Sequence, residues 1–255
     1  MYHLILAMDM GKLMSKENVT GRRSFLIKSA QGAAALGVAL PLVNAIARTR
    51  QLETIDLQAY KPEYFNTEEW TFLLAACDRL IPADEEGPGA LQTNVPVFID
   101  QQMLTRYGEG KDWYMDGPHD PKASKLFGYQ LPYNLQQLYR RAIPIVNQYC
   151  QKTYGKEYHA LDHGVQETVL HAIDGNHVDF ASFGETAMQA NHFFARLWEH
   201  TQEGYLADPK YGGNKDMQAW VMIGFPGARA SYTEWVDQHN VKYPLGPVDL
   251  DGNRA

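Results

Sequence analysis

Residues 66–82 read NTEEWTFLLAACDRLIP, and this stretch carries the signals of an amphipathic helix with a defined start and end. Asn66 can accept a hydrogen bond from the backbone of the first turn, and Glu69 can return one, which is the pattern of a capping box. Apolar side chains then recur every three or four residues, as on the buried face of a helix: Trp70, Leu73, Leu74, Cys77, Leu80 and Ile81. Pro82 disfavours helical backbone at the preceding residue, so we expect the helix to end there.

A second and a third helix are predicted after this one. The second follows Asn94 and carries Pro96 in its first turn, where the backbone N–H that proline lacks is not needed. Its inward side chains are Phe98, Ile99 and Met103. The third and longest helix covers about 132–153, with a kink expected at Pro144 and a stop at Gly155. Its apolar face consists of Leu135, Leu138, Ala142, Val146 and Tyr149.

Two more helices are predicted, a short one near 164–173 and a long one at about 183–202. The apolar side chains of the long one are Met188, Phe194, Leu197 and Trp198. Alternating apolar and polar runs, which are typical of strands, and tight hairpin dipeptides such as Asn-Gly are scarce. We therefore predict a mostly α fold, a single irregular helical domain with long ordered loops over residues 48–255.

Two segments do not fit a plain helical bundle. They are LIPADEEGPGALQTNVPVFID at 80–100 and EGYLADPKYGGNKDMQAWVMIGFPGA at 203–228. Both are rich in glycine and proline but also carry large apolar residues, which disordered loops usually lack. Long ordered loops are commonly functional. Either these segments cover the core of their own domain, or they lie against another protein.

The segment before the domain resembles a twin-arginine export signal, which is used by proteins that cross the membrane already folded. Residues 20–47 read TGRRSFLIKSAQGAAALGVALPLVNAIA. The elements of the signal are Arg22, Arg23, Phe25, Leu26 and Lys28, an apolar stretch over 33–46, and a small-x-small cleavage site at Ala45 and Ala47. The apolar stretch is shorter than the roughly 20 residues that span a bilayer. We therefore assign residues 1–47 to the signal, with a retained anchor as the alternative and Met14 as the more natural start.

The charge of the remaining chain argues against two classes of partner. The whole chain has 23 basic and 30 acidic residues, of which residues 1–47 hold five and two, so residues 48–255 hold 18 and 28 and carry a formal charge of −10. Such a surface repels nucleic acid and anionic lipid headgroups. We expect an acidic periplasmic protein.

Folded export is typical of proteins that carry a cofactor, but the sequence offers no site for one. Residues 48–255 contain no Gly-x-Gly-x-x-Gly fingerprint, no Cys-x-x-Cys-His haem motif and no Gly-x-Ser-x-Gly elbow. The two cysteines of the chain are too few for an iron–sulfur cluster. We therefore predict no catalytic residue, no cofactor-binding residue and no metal ligand.

The histidines come in two pairs that lack a metal-binding spacing. His159 and His163 straddle a loop and a helix start, because Asp162 is a predicted N-cap. His192 and His200 flank the apolar run FFARLW without the His-Glu-x-x-His spacing. Surface or capping roles are expected for them.

At its two irregular segments the chain resembles the gluconate 2-dehydrogenase subunit 3 family. The blocks that carry the resemblance are the leader from Arg22, DRLIPAD at 78–84, GPGA at 87–90, VPVFID at 95–100 and EGYLADPKYGGNKDMQAWVMIGFPG at 203–227. The run before Met14 does not resemble the family. The last block is the most specific, because many features must coincide in it: Asp208, Pro209, Tyr211, Gly212, Gly213, Asn214, Trp220, Gly224, Phe225, Pro226 and Gly227.

The resemblance implies a partner that carries the cofactors. In such complexes a large subunit holds FAD and oxidises a sugar or sugar acid, and a c-type cytochrome subunit with haem c passes the electrons to the respiratory chain. The small subunit supplies the export signal and helps the large subunit to mature. The block at 203–227, with Tyr205 added to the residues above, is then the expected partner interface.

The two cysteines leave several states open. Cys77 lies in the apolar stripe of the first helix, where cysteine acts as a small buried hydrophobe. Cys150 lies in the polar run NQYCQKTYG and is expected to be more accessible. We favour a buried free Cys77 and a Cys150 that is free or bonded to a cysteine of the large subunit. A bond between Cys77 and Cys150 remains possible if their Cα atoms lie within about 7 Å.

Two hypotheses of different classes follow. In the first, the chain is a non-catalytic subunit that is exported together with a flavoprotein and reaches the membrane through its complex. In the second, it is a free-standing periplasmic enzyme or binding protein that uses histidine and carboxylate groups. The first predicts that the neighbouring reading frame encodes a flavoprotein without a leader of its own.

Overall fold

The computed structural model describes residues 55–120, 123–241 and 243–255, and the signal residues Arg22 to Ala47 lie outside these ranges. The six α-helices in the described ranges are α1 (Thr67–Leu80), α2 (Val95–Met103), α3 (Leu135–Tyr154), α4 (His163–Asp174), α5 (Ala190–Leu206) and α6 (Gln218–Ile223). Short 3-10 helices occupy the loops: Lys125–Phe127, Tyr158–Ala160, Phe180–Phe183, Pro209–Tyr211, Lys215–Met217 and Thr233–Trp235. Extended pairing within these ranges is limited to isolated bridges of Val248 with Gly227 and with Arg254. The predicted mostly α fold is confirmed.

Side-chain caps fix the ends of α1 and α3. Asn66 Oδ1 accepts from the backbone N–H of Glu69 (2.9 Å), and Glu69 Oε2 accepts from the backbone N–H of Asn66 (3.0 Å), so the predicted capping box of α1 is confirmed. A second capping box, between Asn134 and Gln137, starts α3. Gly155 ends α3 in the left-handed conformation (φ 73°), as predicted. Pro144 lies inside α3, and the kink expected there remains a prediction.

The start of α5 was predicted about seven residues too early. The stretch Phe180–Phe183 forms a separate 3-10 helix that ends at Gly184, whose φ of 89° interrupts helical backbone. The carboxylate of Glu185 then accepts from the backbone N–H groups of Ala187 (2.9 Å) and Met188 (3.2 Å). These local hydrogen bonds compete with a helical ladder, so α5 begins only at Ala190.

The core forms around α5, which contacts each of the other five α-helices of the described region. Phe193 of α5 packs against Tyr139 of α3 (ring centroids 5.6 Å apart) and Phe72 of α1 (6.1 Å), and all three side chains are buried. Within the described ranges, no helix combines the length and the hydropathy needed to cross a bilayer.

The segment before α1 is attached to α2 through one buried carboxylate. Asp100 has no exposed surface, and it accepts hydrogen bonds from Tyr60 Oη (2.7 Å) and from the backbone N–H groups of Glu63 (2.9 Å), Tyr64 (3.1 Å) and Phe65 (3.0 Å). Three consecutive backbone donors thus converge on one side chain. This carboxylate sets the path by which the chain enters α1.

Candidate partner-binding surface

The block at 203–227 folds around Trp220. The indole is 6% exposed, its Nε1 donates to the backbone carbonyl of Leu206 (2.8 Å), and its ring meets Phe225 edge-on with centroids 5.0 Å apart. Trp220 is therefore the internal support of this region. Of the two roles that a tryptophan here can have, core and contact residue, the structure favours the core.

Several predicted interface residues share this buried position. They are Tyr205, Asp208, Gly212, Gly213, Asn214 and Gly227. Tyr205 Oη donates to the backbone carbonyl of Pro88 (2.7 Å), and Asp208 accepts from the backbone N–H of Leu250 (2.8 Å). Gly213 lies so close to Gly204 that a Cβ on it would be 2.1 Å from the Gly204 carbonyl oxygen. These residues build the fold beneath the surface.

The exposed part of the block is an apolar surface centred on α6. Val221, Met222 and Ile223 follow one another along this short helix, and all three are exposed. Leu206 and Phe225, the two residues that hold the Trp220 indole, are exposed as well. We call these five residues the α6 surface. Among the other predicted interface residues, Tyr211 and Gly224 are exposed, and Pro209 and Pro226 are half-buried.

The α6 surface is joined to the other irregular segment of the chain. A Cβ on Gly87 would lie 2.1 Å from Met222 Sδ, so only glycine lets the methionine lie across the backbone at this point. Tyr205 Oη contacts the same sulfur at 3.6 Å. The GPGA block and the 203–227 block therefore form one structure. Exposed Asp84, Glu85 and Glu86 precede Gly87 and give this side an acidic rim.

An unusual backbone precedes α6, and no sequence signal predicted it. Asn214, Asp216 and Met217 all have positive φ, at 42°, 56° and 54°. Non-glycine residues in this conformation cost of order 1 kcal/mol each and persist where the surroundings enforce them. Here the buried Asn214 side chain accepts from the backbone N–H of Ala219 (2.9 Å) and donates to the carbonyl of Ala207 (3.0 Å). This framework fixes the direction in which α6 leaves the domain.

The histidines have structural roles. His200 is buried between Tyr107 and Tyr139, whose hydroxyls lie 3.0 Å from Nε2 and 2.9 Å from Nδ1. The surface or capping role expected for it was wrong, because His200 lies on the core face of α5. Burial lowers the pKa of His200 to about 3, which keeps the ring neutral. His192 takes part in the capping box of α5 with Gln189. No group of three potential metal ligands occurs in the described part of the chain.

Cys150 is fully buried, and its predicted accessibility was wrong. The 3-10 segment that begins at Tyr158 folds back over this end of α3, and the backbone N–H of Tyr158 donates to Asn147 Oδ1 (3.2 Å). Cys150 and Cys77 are both buried free thiols, and burial raises the pKa of each to about 12. A bond from Cys150 to a partner would require this region to open, so Cys150 is not part of the accessible surface.

The comparisons with known proteins were made with the whole chain. No curated protein and no solved structure matches it. The family model of gluconate 2-dehydrogenase subunit 3 matches residues 67–227. This range begins at the first residue of α1 and ends at Gly227, so it contains all six α-helices and the α6 surface. On this match, which covers more than half of its length, the chain belongs to the gluconate 2-dehydrogenase subunit 3 family.

Proposed function

We propose that this chain is the non-catalytic small subunit of a periplasmic, membrane-associated, FAD-dependent sugar or sugar-acid dehydrogenase. It supplies the twin-arginine signal for the complex and assists maturation of the flavoprotein large subunit. FAD belongs to that large subunit, and haem c belongs to a cytochrome subunit that links the complex to the membrane. The observation that carries the proposal is the α6 surface, which lies within the range that matches a family of dehydrogenase subunits.

The composition of the α6 surface supports a protein partner. Three consecutive apolar side chains on one exposed helix, with Leu206 and Phe225 beside them, form the kind of patch that marks interaction sites. Burying each of them in a partner stabilises the complex by about 1.5–3 kcal/mol at most. The buried Trp220 and Asn214 hold the helix in place before binding, which reduces the entropy lost on association.

The alternative, a free-standing enzyme or binding protein, has weaker support from the side chains that would carry it. His200 is neutral and enclosed by two tyrosines. The buried carboxylates of Asp100, Glu69 and Glu185 each accept several hydrogen bonds that hold the fold together. These groups are committed to structure.

Co-expression with the flavoprotein of the neighbouring reading frame tests the proposal. Purification through a tag on this chain should yield a yellow complex that oxidises a sugar or sugar acid. A colourless chain that turns over substrate alone would instead establish the alternative.

Val221→Asp should abolish this co-purification. A carboxylate in the centre of the α6 surface would have to be desolvated on binding, so we expect at least a tenfold loss of affinity. Val221 is 55% exposed, and the stability of the free chain should therefore change little. The measurement is the flavin recovered per tagged chain. Val236→Asp is the matched control, because this 66% exposed valine lies outside the family match. Equal flavin recovery from both variants would exclude the α6 surface as the interface.

Arg22→Lys combined with Arg23→Lys should leave both proteins in the cytoplasm. We expect the twin arginines to be read as planar guanidinium groups, which lysine does not reproduce although it keeps the charge. Dehydrogenase activity should then shift from the periplasmic to the cytoplasmic fraction, and Arg48→Lys with Arg50→Lys serves as the control. Normal periplasmic activity in the double variant would contradict export through this signal.

A further inference from the structure

An open groove of about 470 Å³ lies along the first half of α3, and it differs in charge from the rest of the chain. The chain as a whole is acidic, with a formal net charge of −7. The side chains that line the groove include two cations and no anion: Tyr64, Gln136, Gln137, Arg140 and Arg141. The groove is therefore a local basic site on an acidic protein.

Arg140 is held in a fixed position at the groove. Its guanidinium bonds to the Glu69 carboxylate, donates to the backbone carbonyl of Tyr64 (2.8 Å) and lies 4.5 Å from the centre of the Tyr64 ring. The Arg140 side chain is 42% exposed, whereas Glu69 beneath it is only 2% exposed. The anion of this pair is thus hidden and the cation faces solvent.

Arg141 repeats this arrangement with a looser pairing. Its side chain is 52% exposed, and its Nη1 is 3.4 Å from Oε2 of Glu185, which is 5% exposed. The other oxygen of Glu185 already accepts from Tyr133 and from two backbone N–H groups. The Arg141 guanidinium lies 4.3 Å from the centre of the Tyr133 ring, which orients it. Its long ion pair leaves donor capacity for a carboxylate from outside.

The amides of the groove add a further donor. Gln137 uses Oε1 to accept from the backbone N–H of Asn134 (3.0 Å), which turns its NH₂ group outward from this cap. Gln136 Nε2 donates to the carbonyl of Met103 (2.6 Å). Two oriented guanidinium groups and an amide N–H suit a carboxylate, which accepts two or more hydrogen bonds at once.

We propose that this groove docks an acidic segment, containing aspartate or glutamate, of the large flavoprotein subunit. The proposal rests on the proposed function, because it assigns the groove to the same partner as the α6 surface. Charge complementarity is the reason for choosing an acidic segment: this is where an acidic chain presents two half-exposed arginines over buried glutamates. Complementary charges accelerate association and select the correct partner.

Binding of an acidic peptide tests the groove on the full-length chain alone. A labelled hexaglutamate peptide should bind in a fluorescence polarisation assay at low salt, more weakly as salt rises, and a hexaglutamine peptide should not bind. Arg141→Gln should weaken binding about tenfold, since a hydrogen bond between charged groups is lost. Arg106→Gln, which removes an equally exposed arginine that is paired with Asp112 elsewhere, should change binding by less than about twofold. Equal effects of the two variants, or no hexaglutamate binding, would overturn the proposal.

The co-expressed complex tests whether the partner supplies the carboxylates. Arg141→Glu should make the complex dissociate at lower salt than Arg106→Glu does. If the two complexes dissociate at the same salt concentration, or if sodium gluconate displaces hexaglutamate at equal carboxylate concentration, the groove serves a small ligand and this proposal fails. Failure of the proposed function itself is a distinct result, because no flavoprotein would then co-purify with the unmodified chain.

Discussion

Asp100→Ala is expected to lower the free energy of unfolding by roughly 4 kcal/mol, because four donors lose one shared acceptor at about 1 kcal/mol each. The donors are Tyr60 Oη and the backbone N–H groups of Glu63, Tyr64 and Phe65, and the carboxylate that they share is fully buried. No water reaches this position in the folded chain to replace the lost acceptor. Urea unfolding followed by circular dichroism measures the change.

Asp56→Ala provides the matched control for this prediction. Asp56 also accepts from a backbone N–H, that of Gln58 (3.0 Å), but it is exposed. Water can replace it, so the loss should stay below about 1 kcal/mol. Similar losses in the two variants would mean that the segment before α1 contributes little to stability. Asp100→Asn keeps one acceptor oxygen and should lie between the two.

The elements that could be predicted from the sequence are those with local determinants. The Asn66–Glu69 capping box of α1 and the Gly155 stop of α3 involve residues close in sequence, and both are confirmed. The start of α5 was misplaced because the apolar period continues through the 3-10 helix at Phe180–Phe183. Period alone does not distinguish two helices separated by a left-handed glycine from one continuous helix.

Burial was less predictable than helix position. Cys150 stands in a polar run, and its burial depends on a segment that returns over α3 through a hydrogen bond between Tyr158 and Asn147. His200 is enclosed by tyrosines 93 and 61 residues away in sequence. Contacts of such separation leave no periodic signal in the chain. The role of Asp100 was missed for the same reason, since its donors lie 35 to 40 residues upstream.

The candidate site was located by its sequence block but not resolved into its parts. Residues 203–227 were expected to form one interface, whereas the structure buries Asn214 and Trp220 and exposes Val221, Met222 and Ile223. Three adjacent apolar residues in a helix suggest a buried segment when only the sequence is known. Their exposure results from the shortness of α6 and from the left-handed residues before it, which direct the helix outward.

Trp220→Ala should therefore reduce folding stability by about 3–5 kcal/mol, the usual cost of truncating a buried tryptophan. The variant loses the contact with Phe225 and the hydrogen bond to the Leu206 carbonyl, so α6 should also exchange its amide hydrogens faster. Trp220→Phe keeps an aromatic ring and should cost less. Trp235→Ala is the matched control, because Trp235 is half-buried and packs on Tyr243 (5.2 Å) outside the family match.

Two measurements on Trp220→Ala separate support of the surface from direct contact with the partner. If Trp220 is a support, the urea midpoint of the free chain falls and flavoprotein recovery falls with it. An unchanged midpoint combined with lost recovery would make Trp220 a contact residue, against its 6% exposure. Hydrogen exchange of the unmodified chain completes the distinction: the amides of α6 should gain protection when the large subunit binds, because the exposed side chains around Trp220 then become buried.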